Sequence, residues 1–247
     1  MTPPVFLVER TELAGGPGAV VTVSGPEGRH AAVVRRIRVG EIVDLSDGRG
    51  VRSRCTVVDT TKDSIVCEVV RRAEEPVPGP RLTVIQALPK GERGEQAVEM
   101  MTEVGVDTVV PWAAERCVTR WKGERAAKAL GKWRATAREA GKQARRSWIP
   151  EVTDLVDRAG VAALLAGADL GVVLHEDGAH RLSELDLPSE DGGIVLVVGP
   201  EGGFSDTELA VFDEVGAARA LLGPSVLRTS TAGVAALAVL QARTGRW

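Results

Sequence analysis

The alternation of apolar, strand-like segments with helical segments after residue 80 restricts the fold more than any other feature of this chain. Strands that alternate with helices along a chain form parallel sheets. The sequence therefore predicts an α/β domain built on a parallel sheet over residues 81–247. The predicted strands are residues 82–88, 108–112, 170–174, 193–198 and 218–222, and the predicted helices are 92–104, 124–146 and 229–244.

A different pattern comes before this domain. Short β-like segments follow one another closely and are separated by turn sequences such as Asp-Gly-Arg-Gly, which is typical of a small barrel. Residues 74–80, Glu-Glu-Pro-Val-Pro-Gly-Pro, have the composition of a stiff linker. We therefore expect a small β-barrel domain at residues 1–73 and a linker at 74–80. The predicted strands are residues 19–23, 41–45, 52–58 and 64–70.

Composition favours an ordinary globular protein. The chain is 44% hydrophobic, yet no apolar run approaches the ~20 residues of a membrane span, and the first residues lack the basic and apolar regions of a signal peptide. We expect a cytoplasmic protein. Cys55, Cys67 and Cys117 are odd in number and widely spaced, which predicts reduced, structural thiols and no metal site.

The charges are unevenly distributed, although the net charge is only −3. Residues 116–150 carry eleven Lys and Arg against two Glu, whereas residues 151–247 carry six against fifteen Asp and Glu. Phosphate binding depends on local cation density, so one face of the protein is predicted to bind a polyanion. A solvated helix face without a ligand is the alternative.

Two glycine-rich junctions carry the strongest chemical signal. The strand ending at Val198 leads into Gly-Pro-Glu-Gly-Gly and a helix that begins at Ser205 or Asp206, and a Gly-Pro turn at Gly223 leads from the last strand into the last helix. Such loops expose backbone amides to a ligand, and carboxyl ends of parallel strands share one edge of a sheet. These two loops and the one after Leu174 are predicted to form one pocket; tight turns without a ligand are the alternative.

Neither junction matches a known phosphate-binding fingerprint. The first lacks the Lys-Ser/Thr of a P-loop and the G-x-G-x-x-G spacing of dinucleotide-binding proteins. A nucleotide-dependent enzyme is therefore disfavoured.

Taken together, the motifs resemble the bacterial 16S ribosomal RNA uridine-N3 methyltransferases of the trefoil-knotted SPOUT superfamily. The family's GPEGG pattern is present at residues 199–203, and its LG-x-x-x-LR-T-x-TA pattern is present at 222–232. Upstream, residues 90–106 resemble its KG-x-R…TE-L-GV helix, and residues 47–50 resemble the DG-x-G turn of its PUA-like RNA-binding barrel. Ser230 stands where the family usually has Glu, which leaves open a non-catalytic RNA-binding factor.

The resemblance implies a C-terminal SPOUT trefoil-knot parallel-sheet domain, a preceding PUA-like β-barrel domain, and a homodimer. It implies that S-adenosylmethionine is the cofactor, bound in a bent form inside the knot. The implied cofactor-binding residues are Leu174, His175, Val198, Gly199, Pro200, Glu201, Gly202, Gly203, Leu222, Gly223, Val226, Leu227, Arg228, Thr229, Thr231 and Ala232.

The implied reaction transfers the sulfonium methyl group to N3 of a uridine, so the developing uridinate needs a cation nearby. Arg228 is the first candidate for this catalytic role and Arg93 the second. Glu201 is a catalytic candidate as a base, although a carboxylate of ordinary pKa is a poor one, and it could instead hold its loop. Methylation of another RNA, or of a ribose 2′-hydroxyl, is the alternative within this enzyme class.

The implied partner is 16S ribosomal RNA within the 30S subunit. We expect RNA contacts from exposed cations of both domains, and tryptophans near the basic segment could stack on an unpaired base. The predicted RNA-binding residues are Arg35, Arg36, Arg38, Arg116, Arg120, Lys122, Arg134, Lys142, Arg145 and Arg146.

Overall fold

The computed structural model describes residues 2–247 and divides into two compact units. The first comprises the chain up to Val77 together with Gly141–Ile149, and the second comprises Pro78–Ala140 and Pro150–Trp247. This division differs from the predicted one, because the basic segment of residues 141–149 returns to the first unit.

The first unit is built on a five-stranded sheet with the order β1-β3-β4-β5-β2. The β1–β3 pair is parallel and the other pairs are antiparallel. Every second side chain from Val51 to Val57 of β4 is buried, as expected for a strand with one face on a core. The elements are β1 Val5–Leu7, β2 Val20–Val23, α1 Gly25–Arg29, β3 Ile42–Ser46, β4 Val51–Thr60 and β5 Ile65–Glu74, with a 3₁₀ helix at Arg10–Leu13 and a π-helical turn at His30–Val34.

Backbone hydrogen bonds explain why residues 141–149 belong to this unit. The Gly50 N–H donates to the Ser147 carbonyl at 2.9 Å, and the Ile149 N–H donates to the Gly48 carbonyl at 2.9 Å. Gly50 has φ +99°, and a Cβ there would lie 2.7 Å from the Trp148 ring, so this approach requires glycine. The Asp-Gly-Arg-Gly turn therefore reverses the chain and also forms backbone hydrogen bonds with residues 147–149.

The second unit is built on a seven-stranded sheet with the order β10-β12-β9-β11-β6-β7-β8. All six strand pairs are parallel, which confirms the predicted α/β class and parallel sheet. The elements are β6 Arg81–Ala87, α2 Arg93–Glu103, β7 Thr108–Trp112, α3 Glu124–Gln143, β8 Glu151–Val152, α4 Arg158–Ala166, β9 Leu170–Leu174, β10 His180–Arg181, β11 Gly193–Val198, α5 Asp206–Glu214, β12 Ala218–Leu221 and α6 Thr229–Arg243. The sequence analysis did not predict β8, α4 or β10.

The last helix is held inside the second unit. Helix α6 contacts α2, β6 and β11, and it buries Ala236, Leu237 and Leu240. Gln241 Nε2 donates to the Val104 and Gly105 carbonyls at 2.7 and 3.1 Å, and so satisfies the carboxyl end of α2. The apolar face of α6 is thus used within one subunit.

Two negative findings concern residues 2–247. No helix there is long and apolar enough to cross a bilayer. No cluster of three or more His, Cys, Asp or Glu is arranged to hold a metal ion.

A buried carboxylate joins the start of the sheet to the end of the chain, which gives a stability prediction. The Asp107 side chain is 1% exposed; its Oδ2 accepts from the Leu82 N–H at 2.8 Å and from Arg246 Nη1 at 2.7 Å. We expect Asp107→Ala to lower the free energy of unfolding by about 3–5 kcal/mol, because Arg246 and the amide lose a buried partner. Urea denaturation measures this.

The control is Asp154→Ala, since Asp154 pairs with Arg134 at 2.9 Å but its side chain is 89% exposed. It should change stability by less than about 1 kcal/mol. Equal effects of the two substitutions would contradict the role given to Asp107.

Candidate active site

A cleft of about 710 Å³ lies at the carboxyl edge of the parallel sheet. The register aligns the strand ends: Val198 of β11 is opposite Gln86 of β6, and Leu174 of β9 is opposite Ala220 of β12. The loops that follow β9, β11 and β12 therefore meet there and line the cleft. The predicted convergence of these three loops is found in the structure.

The loop after β11 is fixed by the residues that end it. Ser205 caps α5, with its hydroxyl accepting from the Glu208 N–H at 3.2 Å, while Glu208 Oε2 accepts from the Ser205 N–H at 2.8 Å. This capping box satisfies donors at the start of the helix. Glu208 Oε1 also accepts from the Glu115 N–H at 2.7 Å, so the same carboxylate ties the loop to residues 114–116.

A buried hydroxyl fastens the other end of the loop. Thr229 Oγ1 donates to the Gly199 carbonyl at 2.8 Å and accepts from Gln86 Nε2 at 3.0 Å. One side chain at the start of α6 thus connects the ends of β6 and β11. Below the loop, Phe204 stacks on Trp112 with ring centroids 5.8 Å apart, and a Cβ on Gly199 would lie 2.8 Å from the Phe204 ring.

The cleft presents backbone donors that the protein leaves available. Within the part of the chain that the structure describes, the N–H groups of Gly202, Gly223, Val226 and Leu227 have no hydrogen-bond acceptor. All four residues line the cleft. Backbone amides of this kind orient ligands in pockets whose other walls are apolar, as Leu174 provides here.

Three arginines line the cleft, and they differ in their partners. Arg93 NH1 pairs with Glu201 Oε1 at 3.3 Å, and Arg116 NH1 donates to the Gly202 carbonyl at 3.3 Å. Arg228, at the N-cap of α6, has no ion-pair or hydrogen-bond partner for its guanidinium among residues 2–247. Two guanidinium groups without a carboxylate partner therefore face the space where a ligand would lie.

Glu201 is engaged and remains ionised. Its Oε1 accepts from the Lys90 N–H at 3.1 Å as well as from Arg93. Partial burial acts to raise the pKa of Glu201, but hydrogen bonds from its own and the Lys90 backbone N–H groups and from Arg93 outweigh this and lower it. The structure thus favours the loop-holding alternative for Glu201 over the role of a base.

The structure brings nearly all predicted cofactor-binding residues to this cleft. The exception is Thr231, which does not line it; its hydroxyl donates to the Arg228 carbonyl at 3.2 Å. Both remaining catalytic candidates, Arg93 and Arg228, line the cleft. The binding roles themselves stay predictions.

The predicted RNA-binding residues divide into accessible and occupied cations. Lys142 is buried and pairs with Glu27 at 3.0 Å, so the prediction of RNA contact is wrong for this residue. Arg120 donates to the Ala114 and Glu115 carbonyls at 2.7 Å each, and Arg134 donates to Val152 and Asp154. Arg146 is half-buried and has a partner. Arg120 and Arg134 are nevertheless exposed, and the other exposed members are Arg35, Arg36, Arg38, Arg116, Lys122 and Arg145.

Several residues that shape the cleft were not predicted from the sequence. Gln86 and Glu208 act only through buried hydrogen bonds, which a sequence pattern does not reveal. Arg116 was predicted to contact RNA but not to line the cleft. Phe204 directly follows the glycine loop, and an aromatic residue at that point is the signal that could have identified it.

Two family models match the chain. An RNA methyltransferase domain matches residues 75–241, and an RNA methyltransferase PUA domain matches residues 23–70. The second match agrees with the predicted PUA-like character of the first domain.

Curated relatives and solved structures agree with these models. Ribosomal RNA small subunit methyltransferase E from Mycobacterium tuberculosis is 44% identical over 93% of this chain and 89% of the relative, and its Bacillus subtilis counterpart is 26% identical over 97% and 96%. A methyltransferase from Legionella pneumophila, solved with bound SAM, has a TM-score of 0.86 at 30% identity and covers 98% of each chain. Ribosomal RNA small subunit methyltransferase E from Neisseria gonorrhoeae, bound to S-adenosyl methionine, has a TM-score of 0.84 at 26% identity, also over 98% of each chain.

The Thr229 hydroxyl that holds the loop can be removed by a substitution to valine, which leaves the shape of the side chain nearly unchanged. We expect Thr229→Val to lower the free energy of unfolding by about 1–3 kcal/mol, because the Gly199 carbonyl and Gln86 lose a buried partner. Chemical denaturation measures the loss. Thr231→Val is the matched control at an exposed position and should change stability by less than about 0.5 kcal/mol; a loss as large as that of Thr229→Val would contradict the assignment.

The charge state of Glu201 can be measured directly by carboxyl NMR titration. Its pKa should lie below the ordinary value of 4.5 and rise toward it in Arg93→Ala, because the guanidinium stabilises the ionised form. The loop contact is therefore fully present at neutral pH and is lost as the pH falls through the lowered pKa. Arg219→Ala, which removes an arginine paired with Asp213, should leave the Glu201 titration unchanged. A Glu201 pKa above 4.5 would restore it as a candidate base.

Proposed function

Because the chain belongs to the ribosomal RNA small subunit methyltransferase E family of RNA methyltransferases, we propose that it methylates N3 of a uridine in 16S ribosomal RNA with S-adenosylmethionine as donor. The observation that carries the chemical part of this proposal is the cleft at the carboxyl edge of the sheet. Loops of β9, β11 and β12, free backbone donors and two guanidinium groups without carboxylate partners meet there.

The cleft fits the methyl donor in size and in chemistry. Its volume of about 710 Å³ lies within the ~300–1,000 Å³ of pockets that enclose ligands of this size. Apolar walls from Leu174, Leu222 and Ala232 suit an adenine ring, and the free N–H groups of Gly223 and Leu227 suit polar groups of the ligand. S-adenosylmethionine, when bound, supplies an electrophilic methyl group on a sulfonium sulfur.

The position of Arg228 supports a role in the proposed reaction. It belongs to the loop after β12, and the neighbouring Thr229 is bonded to the loop after β11, so its backbone is fixed between the two cofactor loops. Its guanidinium would stabilise the negative charge that develops on the uracil oxygens when N3 loses its proton. Arg116 supplies a second positive charge on the same cleft.

Proton removal does not require Glu201 in this scheme. A cation close to the uracil ring lowers the pKa of its N3 imide group, so the N3 proton can leave to solvent before or during methyl transfer. Glu201 keeps Arg93 and the loop after β6 in place through its contacts with Lys90 and Arg93. The role of this chain is therefore mainly positioning and charge stabilisation.

The proposed substrate is the RNA within the 30S subunit, and the proposed active form is a cytoplasmic homodimer. Exposed cations occur in both units, including Arg36 in the first and Lys122 in the second, which favours an extended ribonucleoprotein surface. Val226 is 79% exposed although it is apolar and lines the cleft. A second subunit covering this loop would bury it and complete the site.

The test is transfer of labelled methyl from S-adenosylmethionine to 30S subunits that lack the modification, followed by nucleoside analysis. We expect N3-methyluridine, and we expect Arg228→Ala to lower the rate of transfer about 100-fold or more, because the developing charge loses its partner. Arg158→Ala, on the exposed face of α4, is the control for loss of one positive charge.

The other outcomes are equally informative. Methyl groups on a ribose, or on a different RNA, would overturn the proposed target while leaving the enzyme class. Cofactor binding with no transfer to any ribosomal RNA would favour a non-catalytic RNA-binding factor, in line with Ser230 at a position where the family usually has Glu.

A further inference from the structure

A second pocket, of about 230 Å³, lies in the second unit beside the start of α3. It is lined by two tryptophans, Trp121 and Trp133, and by three cations of α3. Its volume is below the ~300 Å³ at which pockets for whole small-molecule ligands begin, so it suits part of a larger ligand. The mechanism above makes no use of it.

The tryptophans are fixed in place. Trp133 is 2% exposed and packs directly on Gly94, where a Cβ would lie 2.6 Å from the ring. Trp121 meets Trp133 edge to face with centroids 5.1 Å apart, yet it remains half-exposed and lines the pocket. A rigid, partly exposed indole provides a surface on which a flat ring can stack at little cost in conformational entropy.

The cations lie on one face of the helix. Arg125, Lys128 and Lys132 follow the i, i+3, i+7 spacing of a single face, and all three are exposed and line the pocket. None of them has an ion-pair partner within the described residues 2–247. Glu95 is the one carboxylate among the described lining residues, so the pocket mouth has an excess of positive charge.

The pocket shares two wall segments with the active-site cleft. Pro89, in the loop after β6, and Gly94, in α2, line the pocket. Arg93, the first residue of α2, lines the cleft. Thr119 lines the pocket and donates to the Pro89 carbonyl at 2.7 Å, while Arg116, three residues earlier, lines the cleft. The pocket and the cleft are therefore built on the same two chain segments.

We propose that this pocket binds one unpaired nucleotide of the RNA substrate next to the methylated uridine, with its base stacked on Trp121 and its phosphate held by Arg125, Lys128 and Lys132. This inference rests on the proposed function and extends it, since it names where a flanking nucleotide binds. The stacked ring accounts for the apolar wall, and the phosphate accounts for the unpaired cations.

The test measures binding of the full chain to a fluorescently labelled single-stranded RNA of ten nucleotides around the modified uridine. We expect Trp121→Ala to weaken binding roughly 10-fold and Trp121→Phe to retain most of it, because phenylalanine still stacks. Lys128→Ala, at an exposed position, should reduce the slope of log affinity against log salt by about 0.7. Trp247→Ala and Arg158→Ala are the matched controls, at an exposed tryptophan and an exposed arginine outside the pocket.

Cofactor affinity and methyl transfer are measured on the same variants, which separates this inference from the proposed function. Weakened RNA binding at unchanged S-adenosylmethionine affinity supports the inference, even if the methylated atom proves to be another one. If Trp121→Ala and Lys128→Ala bind RNA as the controls do while the unmodified protein transfers methyl, the inference is wrong and the proposed function stands. An unchanged salt slope for Lys128→Ala would likewise exclude a phosphate contact at this helix face.

Discussion

The carboxylate of Glu208 is the contact on which the shape of the active site depends. It is 1% exposed, and its two oxygens accept the N–H groups of Ser205 and Glu115 at 2.8 and 2.7 Å. A buried carboxylate is costly unless each oxygen has a donor, and here the donors come from two separate segments. The glycine loop and the segment that carries Arg116 are therefore held relative to each other by one side chain. Thr229 does the same at the opposite end of the loop, so the glycine-rich segment keeps a defined conformation.

The sequence predicted the parts of this protein that depend on local pattern. Apolar strands buried on both faces are recognisable as continuous runs, and the observed β9 and β11 match the predicted residues. The convergence of three loops followed from the parallel sheet alone. The strand order did not follow from the parallel sheet. In the sheet β12 lies between β9 and β10, although β11 comes before β12 along the chain and after both of those strands. General rules of chain connection do not lead to such crossings, so only the family resemblance could suggest them.

The RNA contact predicted from charge is wrong for Lys142 and stays a prediction for Arg120, and both cations have partners within the protein. Lys142 belongs to the basic segment by sequence, but it is buried against Glu27 in the first unit, and Arg120 uses its guanidinium to hold two backbone carbonyls. Long cationic side chains bind carbonyls and carboxylates of their own chain as readily as phosphates, so a count of charges overstates the binding surface. The converse holds for three cations that were not singled out from the sequence and that have no such partner within residues 2–247, namely Arg125, Lys128 and Lys132.

The proposed reaction would bring a cationic donor and an anionic acceptor into one cleft, and the partners of the arginines are compatible with both. A sulfonium donor would be repelled by three unneutralised guanidinium groups, whereas a uridinate acceptor needs at least one. The ionised Glu201 offsets Arg93 on one wall, and Arg228 remains without a carboxylate on the loop after β12. Among residues 2–247, the cleft guanidinium groups without a carboxylate partner are thus those of Arg228 and Arg116, whereas Glu201 offsets Arg93. This distribution of partners would orient a cationic donor and an anionic acceptor differently within the cleft.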